Sequence, residues 1–264
     1  MKKWLTTLLI ALLFVAGLGM ILYPFVSNWV AERKMVLKIM NYEAKVGLLS
    51  EEARNAEWGK AKHYNEQLRT KREALPMHYQ NILAVEGMMG VIEIPKIGVN
   101  LPIFHGVEES VLQRGVGHIE GTSVPVGGMG THAYLTAHTG LPTAKLFSDL
   151  HKLSKGDDFL IEVLGTTLVY RVREIEILEP DQVFPGKIAA GEDTVTLMTC
   201  TPYGINSHRL LVVGGRVATS DGTIVRVLSD DETPIYATIV QYICMGIILS
   251  LMLSIIFKVR HRKK

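Results

Sequence analysis

Two cysteines occur in the 264-residue chain, and only one stands where it could do chemistry. Cys244 lies inside an uncharged apolar stretch, where a thiol behaves as a small hydrophobe. Cys200 ends the alternating run Thr194-Val195-Thr196-Leu197-Met198-Thr199, which reads as a strand, and Thr201-Pro202-Tyr203-Gly204 then turns the chain. A nucleophile at a strand-to-loop edge has a rigid base and remains reachable. Between the two apolar stretches there is no second cysteine, so Cys200 has no intramolecular disulfide partner there and is marked as a reactive thiol.

A thiol attacks a carbonyl as its thiolate, so it needs a proton partner or a neighbouring positive charge. The strand that returns after Cys200 opens with His208-Arg209. Side chains alternate along a strand, so only one of the two can face Cys200; the spacing across the loop selects Arg209 and turns His208 to the opposite face. Eight histidines are candidates for the base: His63, His78, His105, His118, His132, His138, His151 and His208. His132 opens and His138 closes the strand read in Thr131-His132-Ala133-Tyr134-Leu135-Thr136-Ala137-His138. The exit of a strand, ahead of the Gly140 turn, is the better place for a base, which favours His138. One cysteine with scattered histidines shows no metal-ligand spacing, and no GxGxxG or Walker-type sequence occurs, so neither a metal nor a cofactor is expected.

These residues need a scaffold. From Gly87 onward, short β-branched runs alternate with Gly and Pro turns. Strands are expected at 90–94, 100–103, 133–136, 159–163, 167–177, 194–199 and 208–216, with a further one at 223–228. Gly165 marks a hairpin turn. One short helix is expected at 143–150, with Phe147 and Leu150 toward the core. Many strands with little helix between them predict a mostly β fold, a closed barrel or sandwich, over residues 87–229. Upstream, residues 32–86 begin with an Ala-, Glu-, Lys-, Arg- and Leu-rich tract that reads as helix in two pieces, the second capped by Ser50.

Residues 4–31 carry no charged side chain and are long enough to cross a bilayer. No small-x-small cleavage site follows them, which favours an uncleaved span over a signal peptide. Residues 233–257 are a second uncharged stretch, preceded by Asp230-Asp231-Glu232 and followed by a tail, 258–264, with five basic residues. The positive-inside rule puts that tail in the cytoplasm, hence both termini, and leaves the central region outside the cell. The net charge of +2 hides an asymmetry: seven of the 28 basic residues sit in the two tails, leaving 21 against 26 acidic residues elsewhere. A net of −5 outside the tails argues against nucleic acid as a partner.

Thr196-Leu197-Met198-Thr199-Cys200 resembles the TLxTC signature of sortases, and Thr201 through Leu210 resembles the segment that carries their arginine. Gly90-Val91-Ile92-Glu93-Ile94-Pro95-Lys96-Ile97, Leu101-Pro102-Ile103-Phe104-His105-Gly106, Gly117-His118 and Leu141-Pro142-Thr143-Ala144-Lys145-Leu146-Phe147 extend the resemblance over residues 88–217. Together with two spans, they point to class C, the pilin-polymerising sortases of Gram-positive bacteria. The resemblance implies a sortase-like closed β-barrel with short helices, preceded by a helical region and flanked by two transmembrane helices. It implies His138, Cys200 and Arg209 as the catalytic residues of a transpeptidase that cleaves an LPxTG-like signal between Thr and Gly. Its partners would be pilins or surface proteins bearing C-terminal signals, and the acceptor a pilin lysine amine or, alternatively, a cell-wall precursor. A non-catalytic docking protein on the same fold would need an eroded triad, and all three positions are filled. Two departures stand out: Ala137-His138-Thr139 replaces the common Gly-His-Arg, and no Asp-Pro pair occurs, so the usual Asp-Pro-aromatic lid is absent. A substitute lid would fall at Pro76-Met77-His78-Tyr79.

Overall fold

The computed structural model describes residues 2–70, 79–183, 185 and 191–217. The alternating runs form eight strands: β1 Gly90–Ile94, β2 Val99–His105, β3 Val116–His118, β4 Thr131–Thr136, β5 Asp158–Val163, β6 Thr166–Leu178, β7 Asp193–Thr201 and β8 His208–Arg216. They close into a barrel in the order β1-β2-β3-β4-β7-β8-β6-β5, with β5 returning to β1. Two pairings, β2 with β3 and β4 with β7, are parallel, and the others are antiparallel. Inward-facing Leu135, Phe159, Ile161, Leu197 and Val212 are fully buried, so the barrel interior is a packed core.

The β5–β6 hairpin turns on Leu164 and Gly165, both with positive φ (50° and 78°), as a two-residue turn of this hand requires. The N–H of Leu164 donates to the Tyr42 hydroxyl at 2.9 Å, which ties the barrel to the N-terminal helix. That helix, α1, runs unbroken from Lys2 to Leu48. Its first part is apolar and exposed; none of its most apolar 18-residue window is buried, and by length and composition it can cross a membrane. Its last turns bury Met35, Ile39, Tyr42 and Val46, whose spacing sets one face against the barrel. Each such side chain contributes roughly 1.5–3 kcal/mol on burial. Burial pushes the Tyr42 phenol up to about 12, against the hydrogen bond from Leu164.

Helix α2, Glu51–Arg69, starts where the sequence predicts: the Ser50 hydroxyl accepts from the Ala53 N–H at 3.2 Å. Buried Asn65 pins α2 to the barrel by pairing with one residue as a strand would, accepting from the Val124 N–H (2.8 Å) and donating to its carbonyl (3.0 Å). Both helical pieces therefore pack on the barrel.

The helix expected at 143–150 does not form. Leu146 has φ +41°, and the Phe147 N–H donates to the His138 carbonyl at 3.1 Å rather than to a carbonyl one turn back. Phe147 and Leu150 nevertheless face the core, both fully buried. A four-residue helix, α3 Glu109–Leu112, lies instead between β2 and β3. Met77, the expected strand at 223–228, the second apolar stretch at 233–257 and the basic tail lie outside the described residues.

Candidate active site

Three neighbouring strands, β4, β7 and β8, carry the residues singled out by type and spacing. In β7 and β8, Cys200 and Arg209 are direct cross-strand partners, so their side chains share one face. Such partners have Cα atoms about 4.5–5.5 Å apart. His208 pairs with Thr201 and alternates to the other face, where its Nδ1 meets the Ser207 hydroxyl at 2.8 Å. On the other side of β7, Thr136 of β4 pairs with Met198. The register holds one residue further, because the Ala137 N–H donates to the Met198 carbonyl (3.2 Å) and the Thr199 hydroxyl to the Ala137 carbonyl (2.7 Å). His138 follows directly, two residues past the end of β4 and on the Cys200 side of this register. Cys200 and Arg209 thus share one rung, on the face opposite the fully buried Leu197 and Val212, and the chain leaving β4 carries His138 along the neighbouring edge of β7.

Loops finish the site. The Cys200 thiol is free and partly exposed, so it is neither bonded nor sealed in the core. Arg209 Nη1 donates to the carbonyls of His208 (3.1 Å) and Asn206 (3.3 Å), which holds the guanidinium against the β7–β8 loop. Gly140, with φ +76°, lies against the Tyr203 ring: a β-carbon there would approach the ring to 3.3 Å. The loop after His138 and the loop after Cys200 are therefore in contact, and a side chain at position 140 would be strained both by its backbone and by the ring.

One residue of the site was not anticipated. Glu109, in the first turn of α3, places Oε2 3.1 Å from His138 Nε2. Gln113 donates to the other carboxylate oxygen at 2.9 Å. That bond first, and His138 second, hold the Glu109 carboxyl below its ordinary value. An ionised carboxylate only accepts, so Nε2 carries the proton of this bond and Nδ1 is left for chemistry. A glutamate 29 positions upstream gives no sequence signal of this meeting.

Four of the other histidines have partners of their own, and His63 is exposed on α2. His132 Nε2 bonds the Thr196 hydroxyl at 2.7 Å, two rungs or more from Cys200. His105 and His118 are buried with Tyr79, whose hydroxyl lies 2.7 Å from His118 Nδ1 and accepts from the Gly106 N–H at 3.2 Å. Tyr79 is thus a core residue rather than an anchor over the cleft. His151 Nδ1 lies 3.0 Å from the Ser148 carbonyl, and His78 lies outside the described residues.

The sortase-domain family model matches residues 92–217, which span the barrel from β1 to the end of β8. Sortase A of Bacillus anthracis is 26% identical over 223 residues, 83% of this chain and 97% of that protein. A crystal structure of sortase C1 from Streptococcus agalactiae superimposes with a TM-score of 0.66 at 44% identity, covering 71% of this chain and 97% of that one. Sortase C of Streptococcus pneumoniae gives 0.64 at 42% identity, over 69% and 96%. Identity of that order across nearly the whole of a solved enzyme turns the resemblance of motifs into kinship: the chain belongs to the sortase family of cysteine transpeptidases.

Proposed function

We propose that this sortase polymerises pilins. Cys200 passes its thiol proton to His138, its Sγ attacks the carbonyl carbon of the threonine in an LPxTG-like signal, and the Thr–Gly C–N bond breaks as a thioester forms. His138 gives a proton to the departing glycine amine and later takes one from the incoming lysine amine of the next pilin, whose nitrogen displaces Cys200. Arg209 donates to the oxygen that becomes negative in each tetrahedral intermediate, a role suited to a permanently charged fork of donors. Glu109 positions the imidazole through Nε2. The observation that carries this reading is the cross-strand pairing of Cys200 with Arg209, with His138 at the exit of the strand beside them, in a chain similar to sortases C.

The pilin acceptor is supported by the neighbours: one is the sortase C1 of a pilus island, and another is described in terms of pilin substrate specificity. Residues 4–31 hold the enzyme in the membrane, residues 233–257 form a second span, and the barrel faces outward with both tails in the cytoplasm. The test uses the full chain in neutral detergent with LPxTG peptides and two acceptors, a pilin-derived lysine peptide and a soluble cell-wall-precursor peptide. Covalent products on the lysine peptide support the proposal; products on the wall peptide alone would replace it with surface-protein anchoring.

A further inference from the structure

Between the last apolar turns of α1 and the barrel lies a cleft of about 540 Å³. Its chemistry is polarised along the helix. Val26 and Val30 line it from the part of α1 whose side chains are otherwise exposed and apolar. Lys34 and Lys38 line it one and two turns further on, and the barrel contributes Phe104 from β2 and Arg114 from just after α3. Lys38 Nζ lies 6.0 Å and Arg114 Cζ 5.1 Å from the centre of the Phe104 ring, so both cations converge on one aromatic wall. Arg114 Nε donates to the Ser110 carbonyl, which fixes the guanidinium in place. Among the described residues, none of these three cations is in an ion pair, although nine such pairs occur elsewhere.

The geometry points to a binding site for one anionic phospholipid, with its phosphate among Lys34, Lys38 and Arg114 and its glycerol and upper acyl chain along Val26 and Val30. This rests on the reading of residues 4–31 as a membrane span. The rise of about 1.5 Å per residue puts Lys34 roughly 5 Å and Lys38 roughly 10 Å beyond the end of that uncharged stretch, at the depth of the headgroup layer. Trp29, with Arg33 Cζ 5.4 Å from its ring centre, marks the same level as an aromatic anchor with a cation above it. An acidic peptide would satisfy the cations but leave the apolar end of the cleft bare; a phospholipid matches both ends. Helix and barrel both supply cations, so one bound lipid would fix how the barrel sits on the membrane.

The site can be tested on the full chain in neutral detergent by native mass spectrometry, with dioleoyl phosphatidylglycerol and dioleoyl phosphatidylcholine as the probes. Wild type should retain one phosphatidylglycerol per chain at least tenfold better than phosphatidylcholine. The triple variant Lys34→Gln, Lys38→Gln, Arg114→Gln should lose at least tenfold of that retention, Arg114→Gln alone at least threefold, and Lys60→Gln with Lys62→Gln on α2 should lose none. Soluble glycerol phosphate in large excess should not displace the lipid. Equal retention of the two lipids, an unaffected triple variant, or displacement by glycerol phosphate would overturn the assignment. Labelling of the full chain in pure phosphatidylcholine vesicles by a photoreactive probe confined to the bilayer interior separates the two readings. Labelled residues 4–31 with no phosphatidylglycerol retained refute the lipid site alone; no label within residues 4–31 refutes that span and the lipid site with it.

Discussion

Replacing His118 by asparagine should flatten the acid dependence of this enzyme's stability. His118 is fully buried on β3, where it pairs with Leu135 of the strand that leads to His138. Its Nε2 donates to the Ser123 carbonyl (2.8 Å), which makes Nδ1 the acceptor for the Tyr79 hydroxyl (2.7 Å). A second proton would reverse the Tyr79 bond, turning the hydroxyl to the His118 carbonyl at 3.1 Å, and would bury a charge. Burial pushes the imidazole down from 6.5 to about 4, with the Ser123 carbonyl pulling the other way. The unfolded chain protonates His118 near 6.5 and the folded one does not until about 4, so between those values the unfolded state binds more protons. The stabilisation is complete above pH 6.5 and is lost as the pH falls toward 4. Over that interval the loss is of order 3 kcal/mol, at no more than about 1.4 kcal/mol per pH unit. His105, also lowered by burial, acts in the same direction. Thermal melts of the full chain in neutral detergent, followed by near-UV circular dichroism from pH 7.5 to 4, should show a shallower slope for His118→Asn than for wild type, whatever its absolute stability. Superimposable slopes, or a wild type more stable at pH 5 than at pH 7, would refute the reasoning.

His138→Ala and Arg209→Lys should each slow transpeptidation by about a hundredfold or more with unchanged melting, whereas His208→Ala keeps most activity; near-normal turnover in Arg209→Lys, or a His208→Ala loss equal to that of His138→Ala, would contradict the assigned faces and roles. Glu109→Gln should lower kcat by at most about fivefold and leave KM unchanged, because the carboxylate is exposed and acts only through the imidazole; a matching fall in melting temperature with kcat intact would mark a merely structural contact. A small methanethiosulfonate should label Cys200 rapidly, and replacement of residues 71–78 by a Gly/Ser linker should not change the rate. A rise of tenfold or more would identify that segment as a lid despite its lack of an Asp-Pro pair.

Much of the barrel was legible because alternation is a local signal. Seven of the strands reach one or two residues beyond their expected ends or match them, and the Gly165 turn joins β5 to β6 as read. β3 was not legible, since three residues carry no period to count. The apolar spacing at 143–150 suggested a helix, but it serves a turn instead, because the backbone of Phe147 is claimed by the His138 carbonyl. The position of Arg209 opposite Cys200 followed from strand alternation alone. The position of His138 did not, because it depends on the parallel pairing of β4 with β7, a contact between segments more than 60 residues apart. Glu109 was illegible for the same reason: α3 reaches His138 only once β2, β3 and β4 lie side by side.

The central claim is that Cys200 forms the acyl-enzyme. Intact-mass analysis of the full chain, mixed with an LPxTG peptide and quenched before an acceptor amine is added, measures this most directly. One adduct is expected, equal to the signal peptide without its glycine and following residues, mapped to Cys200, cleaved by hydroxylamine and absent from Cys200→Ala. An adduct of that mass persisting in Cys200→Ala would contradict it.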